Sequence, residues 1–211
     1  MVAAPSLDGM ARAPRIEVPG GIYHVGAEGN RKCRIFADDY ERRIFLMLLA
    51  KQTKRQEWVL LTYVLMTNHY HLLLRLRGRG LSDGMCGLNG EFARFTNRRH
   101  GLEGHLFRNR FWSDFVEDDS HLLQAARYIV LNPIRAGICK RPEDWPWSSY
   151  RSCAGFEFPP EFLAADELLK LFGSRPAEGR RAYRAFVQEG IDQWERERAL
   201  GVRHRDELRA G

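Results

Sequence analysis

Helix and strand signals alternate along this chain, and their order limits the folds that it can adopt. Short apolar stretches rich in β-branched and aromatic residues are separated by longer stretches with helical spacing. Between residues 21 and 131 they predict the order β-α-β-β-α-β-α. An antiparallel sheet with two helices on one face is the ferredoxin-like arrangement. We therefore predict an α+β protein of this type, in which a further helix follows the fourth strand and a helical extension ends the chain.

The predicted boundaries follow from capping and turn residues. Asp38 or Asp39 is suited to cap the first helix, and Asp118, Asp119 and Ser120 offer caps for the third. The third helix should end at Leu131, because Asn132 precedes Pro133 and the residue before a proline avoids the helical region. The predicted strands are 21–26, 58–66, 69–76 and 106–116, and the predicted helices are 38–54, 81–100, 118–131 and 164–210. The predicted domains are a disordered segment at 1–10, one domain at 11–153 and a helical extension at 154–211.

The composition is that of a globular protein with a basic surface. Hydrophobic residues make up 44% of the 211 residues, which is enough for a sizeable core. The net charge is +6 and the pI is 9.3, and 28 of the 33 basic residues are arginine. The planar guanidinium of arginine binds two phosphate oxygens at once. A polyanionic partner is therefore favoured, although charge alone fits a solvated basic surface almost as well.

Several classes of protein are disfavoured. No run is long and apolar enough to span a membrane, and the N-terminus lacks the layout of a secretory signal. The four cysteines stand far apart without a CxxC pair, which argues against a zinc ribbon and against a disulfide framework. We expect a reduced cytoplasmic protein without a membrane partner.

The third predicted strand carries two histidines, His69 and His71, in an otherwise apolar run. Side chains alternate along a strand, so both imidazoles point to the same face, with their Cα atoms about 7 Å apart. Tyr70 and Leu72 point the other way, towards the core. Two imidazoles placed in this way can converge on one metal ion, but a histidine pair on a half-exposed strand is as often ordinary polar surface.

A second pair of polar residues lies on the third predicted helix. Tyr128 and Asn132 are four residues apart and therefore share one helical face. Apolar residues such as Leu122 and Ile129 lie on another face, which can pack on the sheet. If the helical face that carries Tyr128 and Asn132 is directed towards the histidine strand, one site contains two imidazoles, an amide oxygen and a phenol.

Such a site is suited to cleaving a phosphodiester bond. A divalent ion held by His69, His71 and the Asn132 oxygen would polarise the phosphate, and mixed nitrogen and oxygen ligands fit Mg²⁺ or Mn²⁺. The phenol of Tyr128 would attack phosphorus. Taken singly, Tyr128 is more often an ordinary tyrosine with a solvated hydroxyl, and Asn132 a residue that ends a helix.

Seven short motifs stand in a specific order between residues 11 and 153. They are IYHV at 22–25, GNR at 29–31, LMTNHYH at 65–71, NRRH at 97–100, GHLF at 104–107, YIVLNPIRAG at 128–137 and WPWSSY at 145–150. In order and spacing they resemble the single-tyrosine HUH transposases. The closest likeness is to the REP-associated tyrosine transposases, which are domesticated relatives of insertion-sequence enzymes. The chain departs from this family at Glu28, where arginine is usual.

The resemblance implies a function and a set of residue roles. In this family the histidine pair binds a divalent metal, and a tyrosine on the late helix cuts single-stranded DNA and becomes linked to its 5′ phosphate. By position these roles fall on His69, His71 and Tyr128, and Asn132 matches the third metal ligand. The resemblance thus implies a bacterial, nucleoid-associated DNA transposase and endonuclease, dependent on Mg²⁺ or Mn²⁺, that cleaves and rejoins DNA at hairpin repeats.

Contacts to single-stranded or hairpin DNA are predicted at polar and basic residues near these motifs. Proteins that bind single strands combine a cationic groove with aromatic faces on which bases stack. Taken one at a time, each arginine fits a solvated surface group better. The predicted contacts are Asn30, Arg31, Arg98, Arg99, Arg108, Arg110 and Arg135.

Two other functions and two assemblies stay open at this point. The fold could serve a catalytically idle, sequence-specific DNA-binding regulator of repeat elements, although every proposed catalytic side chain is present. A two-histidine phosphoesterase would need a second histidine motif, for which His204 in the tail is the one candidate. The active form could be a monomer or a homodimer that exchanges the tyrosine helix.

Overall fold

Four strands form a single antiparallel sheet in the computed structural model, which describes residues 17–78 and 80–201. The segment 1–10, predicted to be disordered, and His204 lie outside the described residues. The strands are β1 Ile22–Glu28, β2 Trp58–Leu65, β3 His69–Leu76 and β4 Trp112–Val116. Their order across the sheet is β2-β3-β1-β4, and every neighbouring pair is antiparallel.

Helices cover both faces of this sheet. Within the described residues they are α1 Asp39–Arg55, α2 Leu81–His100, α3 Asp119–Arg135, α4 Tyr150–Ala154, α5 Ala165–Leu169 and α6 Pro176–Ala199. Helices α1 and α2 lie on one face, and α3 lies on the other. The predicted α+β, ferredoxin-like class is confirmed, and α3 is the predicted further helix. No helix in the described part of the chain is long and apolar enough to cross a membrane.

The alternation of side chains along β3 decides what lies on each face of the sheet. Tyr70 is fully buried on the first face, where its ring packs against Phe45 of α1. Its hydroxyl donates to the Asn89 side chain of α2. His71 points to the opposite face, towards α3. The apolar side of α3 is buried there, as predicted, at Leu122, Ala126 and Ile129.

The strand predicted at 106–116 is mostly a loop, and only its second half joins the sheet as β4. Phe107 makes a single bridge to Gly29, and the backbone N–H of Arg108 donates to the Glu28 carbonyl at 2.9 Å. The next residues are exposed and bend away from the sheet. Arginine and asparagine side chains stay hydrated there because burial without partners is costly. The prediction is confirmed for residues 112–116 and was wrong for residues 106–111, because apolar residues lie on both sides of the bend.

Helix α3 runs to Arg135, beyond the end predicted from Pro133. Proline lacks an N–H and removes one helical hydrogen bond to the preceding turn. The helix nevertheless continues, because the four residues 131–134 are all buried and their burial offsets the lost bond. Asn132 therefore lies inside the helix, one full turn from Tyr128.

The motif WPWSSY covers the outer edge of β2. The Leu65 N–H donates to the Trp147 carbonyl at 2.8 Å, and the Trp145 indole N–H donates to the Leu65 carbonyl at 3.0 Å. The buried hydroxyls of Ser149 and Thr62 lie 2.6 Å apart. These bonds satisfy backbone groups that an edge strand would otherwise expose. The two tryptophans thus pack this C-terminal part of the chain against the core.

The described part of the C-terminal tail is docked through two helices instead of the one predicted at 164–210. A turn separates α5 from α6, and Pro176 begins α6, since proline is favoured in the first turn of a helix. Helix α6 packs along α3. Gly190 permits this approach, because a Cβ there would lie 2.6 Å from Arg127 Cδ and 2.9 Å from Leu131 Cδ1.

We predict that Gly190→Leu loosens α6 from α3. The added side chain overlaps Arg127 and Leu131, and overpacking of this kind costs about 1–3 kcal/mol of unfolding free energy. The measurement is the urea unfolding midpoint of the full chain. Glu189→Leu, at the exposed neighbouring position, is the control and should change the unfolding free energy by less than about 0.5 kcal/mol. Equal midpoints for the two variants would contradict the close packing.

Candidate active site

Strand β3 and helix α3 bring the predicted nucleophile and metal ligands together. The ring centroids of His71 and Tyr128 are 5.5 Å apart, and those of His69 and His71 are 5.0 Å apart. The Asn132 side chain lies next to the His69 ring. The four residues are therefore neighbours in space, although the strand and the helix are far apart in the sequence.

Two asparagines determine the orientation of His69. Asn68 Nδ2 donates to the Lys32 carbonyl at 3.3 Å, which leaves Asn68 Oδ1 2.8 Å from His69 Nδ1. Because an amide oxygen only accepts, His69 carries its proton on Nδ1 and presents a lone pair at Nε2. Asn132 Nδ2 donates to the Tyr128 carbonyl at 3.0 Å, so the Asn132 oxygen faces His69.

His24 of β1 belongs to the same cluster, and the sequence analysis did not single it out. In the register of β1 and β3 it lies opposite Leu73, so it is on the same side of the sheet as His71. Its Nε2 lies 3.1 Å from Nδ1 of His71. A hydrogen bond there leaves Nε2 of His71 as the nitrogen that can take a ligand. The signal was available, because His24 stands in the IYHV motif on the strand that pairs with β3.

Burial keeps the three histidines uncharged. Desolvation lowers the pKa of His24 to about 4 and lowers the pKa of His71 well below its ordinary value, with the neighbouring histidines adding to the effect at His71. Desolvation also lowers the pKa of His69, although the nearby Asn132 side chain and the Glu28 charge oppose it. Neutral imidazole is the form that binds metal, so the cluster is in its metal-binding state at neutral pH.

The donor atoms of His69 and Asn132 fit a cation. The His69 Nε2 lone pair and the Asn132 oxygen are both acceptors, so this pair suits a cation, either a proton or a metal ion. Burial disfavours the proton, because it lowers the pKa of His69. Across the described residues no group of three His, Cys, Asp or Glu side chains could hold a metal ion. The candidate ligand set is therefore two imidazoles and one amide oxygen.

Arg135 lies over the ring of Tyr128, with its guanidinium carbon 5.2 Å from the ring centroid. The two residues are seven positions apart, which is two helical turns, so they share one face of α3. One of the predicted DNA-binding arginines thus stands beside the predicted nucleophile. A guanidinium in this position is suited to bind a phosphate oxygen.

Four other predicted DNA contacts lie on two neighbouring loops at the end of the sheet where β3 begins. Asn30 and Arg31 follow β1 in a short 3-10 turn, and Arg108 and Arg110 lie on the loop before β4. The backbone N–H of Asn30 donates to the Leu106 carbonyl at 2.8 Å and holds the loops side by side. All four side chains are exposed, so together they form a polar, basic surface.

Arg98 and Arg99 lie at the C-terminal end of α2. Arg99 bonds Asp38 at 2.5 Å and Glu41 at 3.0 Å, so it joins α2 to the beginning of α1. Arg98 is exposed, and its Nε–H donates to the carbonyl of Arg94 on its own helix at 3.4 Å. Because its charge is already paired, Arg99 is a weaker candidate for a DNA contact than Arg98.

Comparisons with known proteins agree with this geometry. The sequence profile of IS200-like transposases matches residues 18–132, more than half of the chain. A protein of Haemophilus influenzae that is assigned as a REP-associated tyrosine transposase is 24% identical over 165 residues, which span 73% of this chain and 93% of the relative. The REP-associated tyrosine transposase of Escherichia coli is 21% identical over 142 residues, which span 67% and 83%.

A solved structure shares the fold. It is a REP-associated tyrosine transposase bound to a REP hairpin, and it matches with a TM-score of 0.59 at 19% identity over 72% of this chain and 89% of that one. The residues matched by the family profile include His69, His71, Tyr128 and Asn132. The family predicted from the motifs is therefore confirmed, and the chain belongs to the IS200-like transposases.

Proposed function

We propose that this transposase is a metal-dependent endonuclease that cleaves and rejoins single-stranded DNA at hairpin repeats through a 5′-phosphotyrosine. The observation that carries the proposal is the position of Tyr128, whose ring contacts both His71 and Arg135. A phenol, an imidazole and a guanidinium thus lie together. The relatives, which are REP-associated tyrosine transposases, support the substrate class, and a solved relative is bound to a REP hairpin.

His69, His71 and Asn132 would hold a Mg²⁺ or Mn²⁺ ion. Bound there, the ion would supply Lewis acidity and a template for the scissile phosphate. Asn68 and His24 contact the Nδ1 atoms of the two ligand histidines and so orient both Nε2 lone pairs. These supporting contacts reduce the freedom of the imidazoles before an ion binds.

Tyr128 would carry the covalent step. Its phenolic oxygen attacks phosphorus, the bond from phosphorus to the 3′ oxygen breaks, and the 5′ phosphate stays on the tyrosine. The phenol loses one proton and the departing 3′ oxygen gains one. In the reverse direction a 3′ hydroxyl attacks the phosphotyrosine and re-forms the phosphodiester. Arg135 would neutralise charge on the phosphate in both directions.

The loops that carry Asn30, Arg31, Arg108 and Arg110 are the proposed contact surface for the hairpin. They flank the end of the sheet that holds the metal ligands, so a hairpin bound there would direct its unpaired flank towards the site. Arg108 lies 3.7 Å from Glu28, and this carboxylate reduces the local positive charge. Arginine contacts to phosphate should make hairpin binding weaken with salt.

Tyr128→Phe removes the attacking oxygen and keeps the ring. With a hairpin oligonucleotide and Mn²⁺, we expect no covalent adduct on a denaturing gel and a loss of cleavage of at least about a thousandfold. Hairpin binding, measured by fluorescence anisotropy, should change by less than about threefold, because the ring remains. Tyr40→Phe, at an exposed position on α1, is the control. An undiminished adduct yield in Tyr128→Phe would refute the role, and hairpin binding without cleavage by the wild type would indicate the idle regulator.

Replacing both His69 and His71 with alanine should abolish Mn²⁺ binding, because it removes both nitrogen ligands. Isothermal titration calorimetry of the protein without DNA measures this directly. His105→Ala, in an exposed loop, should bind Mn²⁺ as the wild type does. Full cleavage by the double variant in chelator-treated buffer would rule out the metal role.

Mn²⁺ binding should persist in mild acid. Protons compete with the metal only when the imidazoles are protonated, and burial lowers the pKa of His69 and His71 below the ordinary value of 6.5. A site of two ordinary histidines would lose roughly tenfold in affinity between about pH 7.5 and about pH 6. We expect a loss of less than about threefold by calorimetry at these two pH values. A tenfold loss would show that the histidines are not held neutral by burial.

A further inference from the structure

We propose that the cleft between β4, α3 and α6 binds one unpaired nucleotide next to the scissile phosphate, and that α6 selects its base. The inference rests on the proposed function, because it extends the same site. The cleft has a volume of about 540 Å³, within the range of about 300–1,000 Å³ that is typical of ligand sites. Its lining joins the reaction centre to side chains of α6, and includes His24, His71, Tyr128, Trp112, Gln193 and Glu197.

Trp112 supplies an aromatic surface inside the cleft. Its indole lies against the sheet over Gly26, where a Cβ would come within 2.6 Å of the ring. Edge contacts to His24 and His71, at centroid distances of 4.7 and 5.4 Å, hold the indole in place. The side chain remains half-exposed. Stacking on such rings is a main source of affinity for unpaired bases.

The charged groups of the cleft are divided between its elements. Arg127 and Arg135 come from α3, whereas the carboxylates of Asp114 and Glu197 come from β4 and α6. Phosphate is attracted to the arginines and repelled by the carboxylates, so the nucleotide backbone should follow α3. A carboxylate that meets a nucleotide accepts hydrogen bonds from amino groups on the base edge. The charges therefore orient a nucleotide with its phosphate at α3 and its base towards α6.

Gln193 and Glu197 form the part of α6 that would read the base. They lie one helical turn apart, and Gln193 Nε2 donates to Glu197 Oε1 at 2.9 Å. The pair thus presents an amide oxygen and a carboxylate in a connected arrangement. Glutamine and glutamate pair with the amino groups of adenine and cytosine, whereas thymine carries no amino group. We expect a preference for an amino-bearing base over thymine.

Helix α6 lies beyond residues 18–132, the part that matches the family profile. Its distance from the reaction centre is set by its packing on α3, where Gly190 allows close approach and Arg127 lies 4.4 Å from the Phe186 ring centroid. The base selectivity would therefore be a property of the C-terminal extension of this chain, added to a cleavage centre built by the sheet and α3.

The test measures base preference in binding, without cleavage. The full chain carrying Tyr128→Phe is titrated, without metal, into hairpin oligonucleotides whose unpaired flank is varied one position at a time between the four bases and an abasic site. At one position next to the cleavage point, we expect the abasic site to weaken binding about tenfold. At the same position, thymine should bind about fivefold more weakly than an amino-bearing base.

Two variants of α6 locate the preference. Gln193→Ala and Glu197→Gln should each reduce the discrimination against thymine to less than about twofold, and neither should alter binding of a hairpin that lacks the flank. Glu195→Gln, exposed on the same helix and outside the cleft, should keep the wild-type preference. Gln193 is exposed, so replacing it should not disturb folding. Gln193→Ala therefore tests the cleft even if Glu197→Gln folds poorly. An unchanged preference in Gln193→Ala would overturn the proposal.

The outcomes also separate this inference from the proposed function. Cleavage of the best-bound oligonucleotide by the wild type with Mn²⁺ tests the metal and tyrosine chemistry alone. The base preference of Tyr128→Phe tests the cleft alone. A preference that is lost in the α6 variants would support the cleft even if no cleavage occurred, and active cleavage with no base preference at any position would overturn it.

Discussion

Helix α3 packs on the face of the sheet that carries the histidines, and the candidate site depends on this contact. The alternation of β3 sends Tyr70 into the core beneath α1 and α2 and sends His69 and His71 to the opposite face. Because α3 covers that face, the imidazoles are desolvated and stay neutral. The same contact sets Tyr128 against His71 and the Asn132 oxygen against His69. The candidate metal ligands and the candidate nucleophile are thus brought together by one packing arrangement.

The rest of the chain stabilises this arrangement from outside. The motif WPWSSY closes the edge of β2 through backbone bonds to Leu65, and Arg42 of α1 lies 5.3 Å from the Trp145 ring centroid. Helix α6 then packs on the outer side of α3, with Gly190 at the closest approach. The C-terminal extension therefore contacts the helix that carries Tyr128, and it borders the cleft in which a nucleotide would lie.

Much of the fold and part of the site could be predicted, because they follow from short-range periodicity. A period of two assigned His69 and His71 to one face, and a period near four assigned Tyr128 and Asn132 to another. Predictions from local sequence patterns were wrong where contacts between distant parts of the chain determine the structure. Helix α3 passes Pro133 because its last turn is buried, and the segment before β4 leaves the sheet because its arginines stay hydrated. His24 was missed although it stands in the IYHV motif, because its contact with His71 joins two strands that are 47 residues apart in the sequence.

The sequence by itself determined which elements form, the face on which each polar pair lies, and the family to which the chain belongs, because periodicity and motif spacing are properties of neighbouring residues. Only the tertiary structure decided that the two faces meet, that His24 and Asn68 contact His71 and His69, and that α6 borders the cleft beside Tyr128. Those outcomes depend on which buried surfaces pack together. The close packing of α6 on α3 in turn depends on Gly190, because any larger residue there would overlap α3. This constraint is visible only once the two helices are seen side by side.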